Sequence, residues 1–247
     1  MILANVRRQL RRGDAQLVLR LVARGSEDEY ARAESELADH GLDGLLDDPR
    51  LLAALVETRH GAVASLPLFA YVVVRQSLRS AGEEDRALAD YLAAVFLHFA
   101  LRDRATRVGD ADDEQFTTLA DLLGGVEGAD PRRSFLVRAH LGNYALWLSG
   151  VFPDRIEHLR WRRGGPDLDY YEELGRRGFR LAADHRLAGE YGMGPLYLAA
   201  AERFAVLRLA LNRISDTLLF PHHHTPERLM RQVRSEWSVR RELGDAA

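Results

Sequence analysis

Cysteine and lysine are both missing from this chain of 247 residues, and all 34 strongly basic side chains are arginine. Each absence removes chemistry. Without lysine there is no Schiff base to a carbonyl or pyridoxal group. A phosphate-binding loop would also lack its usual lysine. Without cysteine the chain cannot supply a thiol nucleophile, a disulfide, a cysteine zinc finger or an iron–sulfur cluster. What remains is histidine, carboxylate, hydroxyl and arginine chemistry. The accompanying richness in arginine, alanine and glycine is the codon bias of a high-GC genome. The missing lysine therefore restricts mechanism without announcing one.

Other shortages narrow the class. Charge of one sign does not accumulate: the formal net charge is −3, so no global field draws the chain to nucleic acid. Long hydrophobic runs are absent. The most apolar stretch, Tyr91 to Leu101, falls far short of the roughly 18 residues of a membrane span. The opening MILANVRRQLRR has no apolar run after its arginines and is not a secretory signal. Apolar residues at 47% and charged residues at 29% are those of a globular soluble protein, and zero cysteine fits the cytoplasm. A soluble, cytoplasmic protein is the expectation.

Strand signals are also scarce. Tyr71-Val72-Val73-Val74 is β-branched, but Ser65-Leu66-Pro67 opens it and a polar RQSLRS follows, which places it in a helix ending near Gly82. No alternating run is bounded by hairpin turns. Helix punctuation is dense. Gly13-Asp14 opens one segment. Ser26 with Glu29 has the spacing of a capping box, and His40-Gly41 closes that helix. Asp48-Pro49, Asp130-Pro131, Phe152-Pro153, Gly165-Pro166, Gly194-Pro195 and Thr225-Pro226 repeat the proline start, while Pro221 sits at a helix end. The fold class is all-α: an irregular multi-helix bundle of about ten helices with little or no sheet. One helical domain over 1–247 is preferred. The polar stretch Arg104 to Glu114 allows a split into 1–104 and 115–247. The segment from Pro195 to Phe220 predicts one long helix. Its apolar stripe is Tyr197, Ala200, Phe204, Leu207, Leu211, Ile214 and Leu218, suited to packing inside a bundle.

Candidate chemistry concentrates between Asp130 and His185. The helix after Asp130 is apolar almost all round, as buried helices are, yet it carries His140, Asn143, Tyr144 and Trp147. A buried histidine or asparagine needs a hydrogen-bond partner, because leaving it unpaired costs roughly 1–3 kcal/mol. These four, with Tyr170, Tyr171 and Arg177 from the helix after Pro166, are the candidate ligand-binding residues. Tyr171, Leu174, Gly178 and Leu181 form the buried stripe of that later helix, and Tyr170, Glu173 and Arg177 lie on another face. Gly175 and Gly178 each cost about 1 kcal/mol in a helix, so they call for close approach of a neighbour. The expected neighbour is the His140 helix, roughly antiparallel, meeting them at Ala139 and Gly142.

Between these helices, Arg160, Arg162 and Arg163 flank Trp161, a composition suited to phosphate and stacking. Helix-dipole complementation at a solvated C-terminus explains the same residues. Glu57 and His60 have the spacing of half a di-iron site, but no second Glu-x-x-His exists. His222, His223 and His224 follow Pro221 on a loop. No metal site and no cofactor are expected. Gly-x-Ser-x-Gly is absent, and GEYGMGP at 189–195 follows no strand. The leading functional reading is an interaction or scaffold module acting through a protein partner or self-association. The alternative is a small-molecule-binding protein or enzyme with a pocket at His140, Asn143 and Tyr144. The third is phosphate or nucleic-acid ligand binding at Arg160 to Arg163. Nucleic acid is otherwise disfavoured, and no membrane role is expected.

Overall fold

Proline and small polar residues set where the helices begin. The computed structural model describes residues 1–57, 63–100 and 130–233. Every regular element among them is helical, and no strand occurs. In chain order, a 3-10 turn (Arg7–Gln9) precedes α1 (Arg12–Ala23), α2 (Glu27–His40), α3 (Leu42–Leu46), α4 (Pro49–Glu57), α5 (Leu66–Arg79) and α6 (Arg86–Ala100). Then come α7 (Pro131–Val151), α8 (Pro153–Arg163), α9 (Leu168–Ala183), α10 (Arg186–Glu190), α11 (Gly194–Glu202) and α12 (Phe204–Ile214). A wider π turn comes next at Ser215–Leu219, and residues 226–233 are helical again, here α13.

The caps are concrete. Ser65 Oγ accepts from the Leu68 amide at 3.2 Å. Asp130 accepts from Arg132 at 2.8 Å and Arg133 at 3.0 Å, with Pro131 opening α7. Thr225 Oγ1 accepts from the Arg228 amide at 3.2 Å. Each cap satisfies an amide that the first helical turn leaves without a partner.

Four local expectations are corrected. Asp14 does not start α1 but reaches back from its first turn to accept from the Arg11 amide at 2.8 Å. The Ser26–Glu29 box is half formed. Ser26 accepts from the Glu29 amide at 3.5 Å, while the Glu29 carboxylate serves Arg32 and Arg50 at 3.1 and 3.3 Å. Pro166 lies just outside its helix, and Asp167 is the cap, accepting from Tyr170 at 3.0 Å. The long helix from Pro195 to Phe220 is broken at Arg203, whose guanidinium lies 3.3 Å from Glu83, and it widens again at Ser215–Leu219. The stripe survives the break: Tyr197, Ala200, Phe204, Leu207, Leu211 and Ile214 are all buried. Leu218, inside the π turn, is only half-buried, because the extra residue of a π turn shifts the helical register.

At the centre lies α7, buried on almost every side. Glycine lets α9 and α12 approach it. A Cβ on Gly178 would stand 2.7 Å from the Gly142 amide nitrogen and 3.1 Å from the Arg138 carbonyl. A Cβ on Gly142 would stand 2.6 Å from the Phe179 ring, and one on Gly150 would stand 2.6 Å from Leu211 Cβ. Gly142 meets Gly178, and Ala145 meets Gly175. Residue numbers rise on α7 as they fall on α9, so the two helices run antiparallel. The C-terminal carbonyls of α7 are satisfied from the stripe helix. Asn212 Nδ2 donates to Ser149 and Gly150 at 2.8 and 2.7 Å, and Ser215 Oγ donates to Val151 at 2.7 Å.

A second polar network ties the turn between α3 and α4 to α5 and α6. The guanidinium of Arg75, fully buried, grips both Asp47 oxygens at 2.7 and 3.0 Å and Glu84 at 2.8 Å. Arg86 reaches the same Asp47 at 2.7 Å. Burial works to raise the Asp47 carboxyl, but the hydrogen bonds from Arg75 and Arg86 outweigh it and hold the group below the ordinary carboxylate range. The polar stretch Arg104 to Glu114 and the residue His60 lie outside the described residues.

Candidate functional site

Four of the seven candidate ligand residues stand on α7, and helical spacing sorts them. His140, Tyr144 and Trp147 share one face, at steps of four and three. His140 and Tyr144 stack with ring centroids 5.8 Å apart and an interplanar angle of 10°. Phe99 of α6 meets His140 at 5.7 Å and Trp147 at 5.7 Å. The rings continue through Phe152 and Phe220 to His223, at centroid distances of 5.8, 6.1 and 5.4 Å. His140 is buried, as the apolar run around it implies.

Asn143 points elsewhere. Its Oδ1 accepts from the Tyr91 hydroxyl at 2.6 Å, in a core shared with Phe179 and Tyr197. Complete burial, and after it the proximity of Tyr197, pushes the Tyr91 phenol well above its ordinary range. It is a fixed donor to Asn143 and cannot serve as a base near neutral pH.

From α9, Tyr171 acts electrostatically on Tyr144. Both phenols are raised chiefly by burial, and Arg155 of α8 acts on both in the opposite direction. Neutral phenols next to a guanidinium can donate hydrogen bonds and hold an anionic or planar group. They suit proton donation better than proton abstraction. The sequence does not single out this arginine, which is one of four on α8.

The structure does not bring the remaining two candidates to that face. Tyr170 is exposed, packed only edge-on to Tyr171 at 5.9 Å, and Arg177 is exposed. The buried face of α9 is the set Leu174, Gly175, Gly178, Phe179 and Ala182, and residues 170 and 177 stand roughly a third of a turn away from its centre. Arg160, Arg162 and Arg163 end α8 in solvent. The Arg160 guanidinium lies 5.9 Å over the Trp161 ring, and Trp161 is 68% exposed. The histidines at 222–224 are exposed, and no group of three metal-ligating side chains gathers among the described residues.

The least expected feature is α13. Its bundle-facing side is charged: Arg228 and Arg231 are only 3% and 6% exposed. Arg228 Nε donates to Asp154 at 2.8 Å, and its Nη1 donates to the Phe220 and His223 carbonyls at 2.6 and 3.0 Å. Arg231 donates to Asp154 at 3.0 Å and to Asp216 at 2.7 Å. Glu227 lies 3.7 Å from His158 on the same side. With about 100° of turn per residue, Leu229, Met230 and Val233 fall on the opposite side. They are 51%, 56% and 50% exposed. An amphipathic helix normally lies the other way round. The sequence holds both faces of this wheel. It gives no sign that the arginines would be the buried ones, because that depends on Asp154 and Asp216 arriving from α8 and the π turn.

No helix of the described residues is long and apolar enough to cross a membrane. Comparisons with protein-family models, with curated proteins and with solved structures find no match to this chain.

Proposed function

We propose that the protein is a helical interaction module whose contact surface is the outward face of α13 and whose partner is a second copy of the chain. The observation that carries this reading is the inverted docking of α13. Two buried arginines and two aspartates fix the helix, so it cannot roll to cover Leu229, Met230 and Val233 without stranding charge. Breaking one such buried pair costs roughly 3–5 kcal/mol and rolling α13 would break those of both arginines, against roughly 2–5 kcal/mol from covering three half-exposed side chains. The stripe carries no charge, so two copies can meet across a two-fold axis without like-charge repulsion. A cysteine-free chain gives a clean test. Met230→Cys introduces a lone thiol that should oxidise rapidly to a covalent dimer. Arg180→Cys, on an exposed position of α9, should not. Equal cross-linking rates for the two would overturn the reading.

A second reading is favoured by one observation: Arg155 acts electrostatically on both the Tyr144 and Tyr171 phenols, and Tyr144 belongs to the ring cluster of His140, Phe99 and Trp147. This is a ligand site for a planar anionic molecule, with the phenols as donors. Native mass spectrometry of the purified chain, with and without Tyr144→Phe, tests it. Retained ligand mass in the parent and loss in the variant would support it. A bare polypeptide mass in the parent would count against it.

A further inference from the structure

A cleft between α1 and α4 shares no lining residue with the α13 face or the Tyr144 cluster. It has a volume of 430 Å³, within the roughly 300–1,000 Å³ of small-molecule sites. Its apolar walls are Leu17 and Leu21 of α1 and Ala54 of α4. Arg20, Arg24 and Glu57 also line it, and these three are exposed. Arg20 and Arg24 are one helical turn apart, and like charges at that spacing repel. Neither guanidinium has an ion-pair partner among the described residues. Arg20 donates only to the Gln16 carbonyl, at 3.3 Å. Arg24 acts at a distance on the Asp48 carboxylate, whose two oxygens are already held by Arg50 at 3.0 and 2.7 Å.

Arg24 is also the single described non-glycine residue with positive φ, at 48°, although glycine stands next to it at position 25. A left-handed backbone strains arginine, whose Cβ crowds the next carbonyl oxygen, and does not strain glycine. Repulsion and backbone strain therefore meet at the mouth of one apolar cleft. An anion placed there would relieve the repulsion and use the strained side chain. With Glu57 counted, the rim carries one net positive charge.

We propose that this cleft binds a small amphiphile with an anionic head, such as a carboxylate, held by Arg20 and Arg24, and an aliphatic chain lying between Leu17, Leu21 and Ala54. The site does not depend on the α13 surface, and Leu229→Asp should leave it intact. The test is calorimetric titration of the full chain with decanoate below its micellar concentration, beside decyltrimethylammonium at the same concentrations. Saturable one-to-one decanoate binding is expected, with none for the cation. Arg24→Gly should raise the thermal midpoint, because glycine accepts the left-handed backbone, while weakening decanoate by about tenfold, the loss of one charge-assisted contact. Arg20→Gln should weaken it similarly. Absence of saturation, equal binding of the cationic amphiphile, or unchanged affinity in both variants would overturn the proposal.

Discussion

Among the described residues of the first half of the chain, three buried polar atoms stand unsatisfied. The Tyr71 hydroxyl, Arg75 Nη1 and Arg7 Nε each lack a hydrogen-bond partner, and the Arg7 guanidinium sits 5.8 Å over the Tyr71 ring. Burial pushes the Tyr71 phenol up to about 12, with Arg7 and Arg75 pulling the other way. Removing an unsatisfied hydroxyl removes a desolvation cost, so Tyr71→Phe should be neutral or stabilising in urea unfolding. A loss above about 1 kcal/mol would show that the hydroxyl is engaged. His185 supplies a pH prediction. Its Nδ1 accepts from the Leu187 amide at 3.2 Å and so caps α10 in the neutral form. Burial lowers its pKa, and Arg138 and Arg186 add to that, with Glu190 opposing. For a base with a depressed folded-state pKa, the unfolded chain binds more protons. The stability it contributes is full above the ordinary value of about 6.5 and is lost as pH falls through that window. An imidazole titration by NMR should put His185 below the ordinary value of about 6.5. A value at or above it would contradict the cap. Neither feature was legible in the sequence. Tyr71 read correctly as helical, and Arg75 stands one turn further along the same helix, but Arg7 reaches the Tyr71 ring from far along the chain, and only the fold brings it there.

Between helices, glycine decides how close two elements come. Gly178→Ala should destabilise despite alanine's better helix propensity, because the new Cβ would meet backbone atoms of α7 rather than a movable side chain. Overpacking of this kind costs about 1–3 kcal/mol. Gly13→Ala in α1, where a Cβ meets nothing within 4 Å, should instead gain about 0.5–1 kcal/mol. Denaturation midpoints moving the same way in both variants would contradict this role for Gly178. Leu211 is fully buried and fills the space left by Gly150, so Leu211→Ala should cost about 2–5 kcal/mol. The pairing of α7 with α9 was legible because Gly142, Gly175 and Gly178 carry a propensity cost that only close packing explains. The break at Arg203 was not. The apolar stripe continues across it without a proline or glycine, and the ion pair to Glu83 joins residues far apart in the chain.

Across the bundle as a whole, the polar residues that matter most were those least visible in the sequence. Nothing in the sequence sets Arg75, Arg228 and Arg231 apart from the other arginines, yet each is buried against carboxylates contributed by other elements. The all-α architecture, in contrast, was legible from local punctuation, because a cap or a proline start needs only residues a few positions away. The α13 clamp joins these two levels. Asp154→Asn leaves Arg228 and Arg231 sharing Asp216 alone, so α13 should loosen first. Hydrogen exchange should speed at 228–233 while α7 stays protected, and uniform acceleration would mean that the clamp holds no separate element. The anchored helix turns its apolar face outward, and sedimentation equilibrium of the intact chain reads whether a second copy covers it. The mass should rise toward twice 27.8 kDa with concentration, and a Leu229→Asp, Val233→Asp variant of unchanged helicity should stay at 27.8 kDa. A parent chain that remains at 27.8 kDa at every concentration, or a variant that associates as the parent does, would contradict self-association through α13.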